Sequence, residues 1–276
     1  MISIESVSLV IIALLGLLVG SFLNVVIYRV PIGKSIVTPP SACPRCGARI
    51  KPWDNVPVIS WLLLRGRCRQ CGTRISIRYP AIELLTAGLF VGASLGLGID
   101  LGVSTGALVG TILVLVAYLY FASISVALAG IDLDTHRLPN AIVLPAYPVL
   151  AVLLVAGSAF LNEYSPLWTA AIGGAALFAA YFLMALVYPG GMGFGDVKLA
   201  GVIGIVLGFL GWGPLVVGSF SAFILGGVFG IALMITKRAG RKSGIPFGPW
   251  MLAGAWVGIF VGENGWNWYL GLFQLA

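Results

Sequence analysis

Nine acidic residues in a chain of 276 leave few places for proton-transfer chemistry, and two short segments hold three of them. The first, Ile131-Asp132-Leu133-Asp134-Thr135-His136-Arg137, closes a long apolar run. The second, Gly193-Phe194-Gly195-Asp196-Val197-Lys198, is a glycine-rich turn that opens another. Acids at the border of an apolar helix are costly and mark function by default. Two carboxylates that share a site do not readily both ionise, so one keeps a proton while the other stays charged. Such a pair hydrolyses peptides without a metal. The ionised partner takes a proton from water, the water attacks the scissile carbonyl, and the protonated partner donates to the developing oxyanion. Gly193 and Gly195 carry no side chain to block a peptide and open backbone conformations closed to other residues. Competing readings stand beside this one. Asp132, Asp134 and Asp196 are also suited to cap helices, Lys198 to anchor a helix end, and membrane carboxylates to line an ion or proton pathway. His136, the single histidine, reads as a loop residue because no Ser or Cys in a nucleophile context accompanies it.

A second constellation is made of thiols. All four cysteines lie in two C-x-x-C pairs, Cys43-Pro44-Arg45-Cys46-Gly47 and Cys68-Arg69-Gln70-Cys71-Gly72, separated by 21 residues. That is a zinc-ribbon spacing, in which two tight knuckles complete a tetrahedral thiolate shell. Disulfides are the competing reading, disfavoured if the segment faces a reducing compartment. A four-cysteine shell has no open coordination position, so the metal is expected to be structural. An insertion this small with few large apolar side chains needs such a staple.

The elements that must position these groups are membrane helices. The chain is 59% apolar and 9% charged, with a mean hydropathy of +1.05, far from the composition of a soluble domain. About eight apolar stretches approach the ~20 residues that cross a bilayer core. They run approximately 7–28, 81–98, 108–131, 141–160, 168–188, 199–212, 215–235 and 248–262. The expected fold is an all-α polytopic membrane protein with a small cytoplasmic zinc-ribbon insertion at residues 29–80. The 38 glycines fit closely packed helices, Gly204 and Gly208 among them. The first stretch follows Glu5 with no basic n-region, so it reads as a retained span. The net charge of +7 is no nucleic-acid footprint here, because its placement follows the membrane. Ten of the 16 basic residues lie between Arg29 and Arg78; the rest are Arg137, Lys198, Lys237, Arg238, Arg241 and Lys242. With the eight spans above, every one falls on one side, while Asp100, Glu163, Glu5 and Glu263 fall on the other. By the positive-inside rule the basic side is cytoplasmic and both termini lie outside. The run Leu199–Trp212 is 14 residues, about 21 Å of helix. This short span suggests that Asp196 is drawn toward low dielectric.

With these motifs in order, the sequence resembles the bifunctional type IV prepilin peptidases, also called leader peptidase/N-methyltransferases. The resemblance rests on Gly20-Ser21-Phe22-Leu23-Asn24-Val25-Val26-Ile27-Tyr28-Arg29, the paired knuckles, and Arg78-Tyr79-Pro80-Ala81-Ile82-Glu83-Leu84. It continues through the Asp132 segment with Leu138-Pro139-Asn140, the Gly193–Lys198 motif, and Ile245-Pro246-Phe247-Gly248-Pro249. It implies a G-x-G-D-type aspartyl protease with Asp132 and Asp196 as the catalytic pair and Gly193, Gly195 and Lys198 as the supporting motif. Asp134 falls outside the match and lies further into the loop. The implied activity is removal of a short basic leader from prepilins or pseudopilins of type IV pilus or type II secretion systems, at the cytoplasmic face of a bacterial inner membrane. Methylation of the new N-terminus by S-adenosylmethionine then follows.

The implied organisation is a methyltransferase-type region at 1–98, a peptidase core at 105–236, and a C-terminal loop and helix at 237–276. No G-x-G-x-x-G loop between a strand and a helix is present, which excludes an ordinary dinucleotide-type cofactor cradle. Asn24, Arg29 and Glu83 are the candidates for cofactor or amine contacts, against the readings that Arg29 anchors at the interface and Glu83 pairs with a loop arginine. Two rivals remain: a carrier whose aspartates bind cations, and an assembly protein whose cysteine unit is a docking surface.

Overall fold

The structure, a computed structural model, describes residues 4–98, 104–188, 192–236 and 246–273. Asp100, Gly191, Lys237, Arg238, Arg241, Lys242 and Ile245 lie outside them. Among the described residues the long elements are all helices, and the only β pairing is two isolated bridges, Ala42 with Arg49 and Arg67 with Arg74. Helix α1 spans Ile4–Arg29 and a five-residue α2 spans Ile59–Leu63. Then come α3 (Arg78–Gly96), α4 (Thr105–Thr135), α5 (Asn140–Leu161), α6 (Ser165–Val187), α7 (Phe194–Leu210), α8 (Trp212–Ile235) and α9 (Gly248–Leu272). In lipid the backbone must satisfy its own hydrogen bonds, which selects helices. Six of them, α1, α3, α4, α5, α6 and α8, are long and apolar enough to cross a membrane.

The helices associate mainly as neighbours: α1 with α3, α4 with α5, α6 with α7, and α8 with α9. Helix α7 is buried along most of its length, and its Val197, Leu199 and Leu207 meet Tyr118, Phe121 and Leu128 of α4 and Met251 of α9 in one core. The Tyr118 hydroxyl, out of reach of solvent, donates to the Val206 carbonyl at 2.8 Å, as a buried hydroxyl must. Gly204 and Gly208 serve as expected. A Cβ at Gly208 would fall 3.0 Å from the Ala170 Cα, and one at Gly204 would strike the Gly173 carbonyl, so the backbones of α6 and α7 touch. A smaller cluster joins Leu23, Val26 and Ile27 of α1 and Ile82 of α3 to Val126, Ala127 and Ile131 of α4.

Helix ends depart from expectation where sequence cues are weakest. Helix α4 continues to Thr135, where His136 turns left-handed at φ 53° and its N–H closes on the Asp132 carbonyl at 2.9 Å. Asp132 and Asp134 are therefore both helical, and Asp134 is not in a loop. Helix α7 starts at Phe194 and has 17 residues, about 26 Å, so a short span does not by itself draw Asp196 inward. Polar Asp196 and Lys198 disguised its first turn. Helix α9 runs to Leu272, so Glu263 lies within it rather than flanking it.

Candidate active site

Asp132 sits on the last full turn of α4 and is 5% exposed. Its Oδ2 accepts the backbone N–H of Gly248 at 3.1 Å. Gly248 is the first residue of α9, so this amide is one of the donors that a helix start leaves without an internal partner, and it carries the positive end of the helix dipole. Asp196 occupies the first turn of α7, and its Oδ2 accepts the Gly193 N–H at 3.1 Å. Both carboxylates thus accept from amides at helix N-termini. Leu138 fixes the spacing between the helix starts. A Cβ on Gly195 would fall 3.0 Å from the Leu138 Cβ, and one on Gly248 would fall 3.2 Å from its Cδ2 and 2.8 Å from Asp132 Oδ2. The absence of side chains at both glycines lets Leu138 fit between them.

The remaining wall is aromatic. The Tyr181 ring lies 5.7 Å from Phe223 and 6.3 Å from Phe247, the residue before Gly248. Lys198 turns away from the pair. Its Nζ donates to Asn140 Oδ1 at 2.9 Å and lies 5.0 Å over the Phe194 ring, linking the starts of α5 and α7. Asp134 is engaged elsewhere, accepting from Arg78 Nη1 at 2.7 Å, while Arg78 Nη2 donates to the Gly130 carbonyl at 3.1 Å. His136 is exposed. Two close carboxylates on helix N-termini, walled by aromatics and open at glycines, have the parts needed to activate water against a carbonyl. Gly248, Leu138 and Asn140 were present in the motif strings, but nothing in residue type alone assigned them to this site.

Two family models match the chain. The Bacterial Peptidase A24 N-terminal domain covers residues 14–96, and the Type IV leader peptidase family covers residues 119–231. The chain is 35% identical to the prepilin leader peptidase/N-methyltransferase of Aeromonas salmonicida (strain A449), over 93% of this chain and 92% of that one. It is 36% identical to the protein of that name from Neisseria gonorrhoeae, over 94% and 93%. With the one from Bacillus subtilis (strain 168) the figure is 32%, over 90% and 92%. The chain belongs to the type IV leader peptidase family. No solved structure matches it.

In this leader peptidase family member the four cysteines converge. Gly47 and Gly72 take φ of 69° and 67°, which glycine alone adopts without strain. Their N–H groups close on the carbonyls of Cys43 and Cys68 at 2.9 and 3.0 Å, making two matching knuckles. The sulfurs all lie within 4.8 Å of one another, with Cys43 and Cys71 3.8 Å apart. A tetrahedral ion with bonds of about 2.3 Å to sulfur requires edges of about 3.8 Å, so the four residues fit one. The N–H groups of Cys46 and Arg45 pull the Cys43 thiol down to about 6. Cys46 is lowered by the Ala48 N–H, but desolvation and the neighbouring thiols outweigh this and push it up to about 11. Four thiols this close cannot all ionise without a counter-charge, which a bound dication supplies.

The three other N-terminal candidates are committed to the chain itself. Asn24 Nδ2 donates to the Gly20 and Tyr79 carbonyls at 3.2 and 3.3 Å. Arg29 donates to the Ser35 and Pro39 carbonyls at 2.9 and 2.7 Å. Among the described residues Glu83 pairs with no arginine; its Oε2 accepts the Val58 N–H at 2.7 Å. These bonds tie α1 to α3 and to the insertion.

Proposed function

We propose that this protein, an aspartic-type prepilin peptidase with methyltransferase activity, removes the leader from type IV prepilins or pseudopilins at the cytoplasmic face of a bacterial inner membrane. Asp132 and Asp196 are the pair that activates water and protonates the oxyanion. The observation that carries this is the convergence of two carboxylates from α4 and α7, each on a helix N-terminus, beside side-chain-free Gly193, Gly195 and Gly248. A substrate held by its own membrane helix presents its leader at the face where these residues lie. The arrangement of Lys198 on Asn140 supports a positioning role for Lys198, holding the first turn of α7 in place.

In this reading α7 and α9 also cross the membrane, giving eight spans with both termini outside. Zinc fills the Cys43, Cys46, Cys68 and Cys71 site as a structural ion that folds the insertion. The product's new N-terminus is methylated with S-adenosylmethionine as the donor. Asn24, Arg29 and Glu83 are the candidate contacts for the donor or the new amine, beside the internal bonds they make. The test is cleavage of a purified prepilin, followed by mass spectrometry. Asp132→Asn and Asp196→Asn should each lose activity by about 10³-fold or more, on the order of 4 kcal/mol of barrier, while Asp134→Asn keeps it. Full cleavage by Asp196→Asn ends the proposal, and a product about 14 Da heavier than the bare mature chain marks methylation.

A further inference from the structure

The segment Val56–Leu64 carries a face that the other described residues leave uncovered. Its one hydrophilic side chain is Ser60, which is buried, donating to the Trp53 carbonyl at 2.8 Å and accepting the Val56 N–H at 3.0 Å. Trp61 also turns inward, its Nε1 donating to the Ile75 carbonyl at 3.1 Å while its ring covers Gly66. Ile59, Leu62 and Leu63 occupy positions i, i+3 and i+4 of α2, one face of a helix, and are 57%, 60% and 78% exposed. The run is too short to span a bilayer and has the length of an interfacial segment.

Its position is fixed by α1 and α3. Val58 opens α2 at φ 59°, a left-handed conformation costly for a β-branched side chain, and its N–H is held by Glu83. Glu83 lies on the second turn of α3, with its Cα where a Cβ on Gly20 of α1 would fall 2.7 Å away. The Glu83 side chain leans toward the start of α3, so α2 is pinned level with the turns where α1 and α3 enter the membrane. Ile77 and Tyr79, at that same entry, are also exposed. Arg65, Arg67 and Arg74, exposed close by in the chain, supply the positive charge that complements anionic headgroups.

We propose that residues 56–64 lie in the plane of the bilayer as a second membrane contact of the cysteine-bearing insertion. Ile59, Leu62 and Leu63 enter the acyl boundary, and the neighbouring arginines meet anionic phospholipid. The insertion is then laid on the membrane surface rather than held above it by α1 and α3 alone. The inference rests on the membrane reading and is independent of peptide cleavage.

The experiment places photoreactive benzoylphenylalanine at Leu63, at Ile59 and, as a control, at exposed Gln70 between the second pair of cysteines. Each is introduced into the full chain in nanodiscs of mixed phosphatidylcholine and phosphatidylglycerol, and adducts are mapped by mass spectrometry. The expected result is a phospholipid adduct at Leu63 and Ile59, none at Gln70, and a lower yield in discs of phosphatidylcholine alone. Two positions guard against one variant failing to fold, and melting temperatures identify that case. Adducts only to a second copy or to added prepilin, or no lipid adduct at either position in folded protein, overturn the proposal. An unchanged yield without phosphatidylglycerol overturns the headgroup contact.

Discussion

Replacing Gly248 with alanine is the sharpest test of the site geometry. The new Cβ would stand 2.8 Å from Asp132 Oδ2 and 3.2 Å from Leu138 Cδ2, well inside ordinary carbon–oxygen contact. Relief requires the carboxylate to move by about half an ångström, which also stretches the 3.1 Å bond from the Gly248 N–H. A misplacement of about 1 Å near reacting groups costs on the order of 10²-fold. Gly248→Ala should therefore slow cleavage by about 10- to 100-fold, or ~1.4–2.7 kcal/mol. Initial rates on purified prepilin at limiting substrate read the loss, with Gly227→Ala as the control because a Cβ there meets nothing within 4 Å. The added methyl overpacks a buried position and should also cost about 1–3 kcal/mol of stability, so rates are compared at a temperature where both proteins are fully folded. Wild-type rates in folded Gly248→Ala would refute the reasoning, because the amide of α9 would then not hold Asp132 in its working position.

Arg78→Ala should lower thermal stability by less than about 1 kcal/mol, because both partners of the Arg78–Asp134 pair are more than 40% exposed; calorimetry in detergent measures it. Gly204→Ala should cost about 1–3 kcal/mol by forcing α6 and α7 apart, read in the same way. Each chain should bind one zinc ion, measured by elemental analysis, and Cys68→Ser should lose it and increase proteolysis within residues 29–80 while leaving the helices intact. Arg69 bonds Asp54 at 2.6 Å and holds its carboxyl below the usual range. The lowered folded value means this contribution is present above the ordinary Asp range and is lost as pH falls through the folded value. The protection factors of amides around residues 51–72, each rate taken relative to its intrinsic value at that pH, should therefore fall below about pH 4.

Helix periodicity and length located most ends of the long helices to within a few residues; the exceptions are the end of α4, the start of α7 and the end of α9, where the expected span stops at 262 but the helix continues to Leu272. Asp132 and Asp134 made α4 look as if it stopped early, and Asp196 and Lys198 made α7 look as if it started late. Asp196 bonds the nearby Gly193 N–H, but Asp132, Asp134 and Lys198 find their partners far along the chain, in Gly248, Arg78 and Asn140, 116, 56 and 58 residues away. Such pairings carry no local signal. The cysteine cluster was legible because its ligands come as two local knuckles with a fixed spacing. The Glu83–Val58 bond was not, because nothing in the residue type tells that a valine will turn left-handed to reach an acid in α3.

The contact between the segments that match the two family models has a property a soluble protein would lack. Leu23, Ile27 and Ile82 face Val126, Ala127 and Ile131 of α4, and Arg78 closes the seam at the membrane face. In water, parting such surfaces would expose an apolar stripe and cost heavily. In lipid, hydrocarbon tails replace the departing side chains at little loss beyond packing, and Asp134 would meet headgroups and water. Parting these two segments of the chain in a bilayer therefore poses a problem of shape and not of solubility.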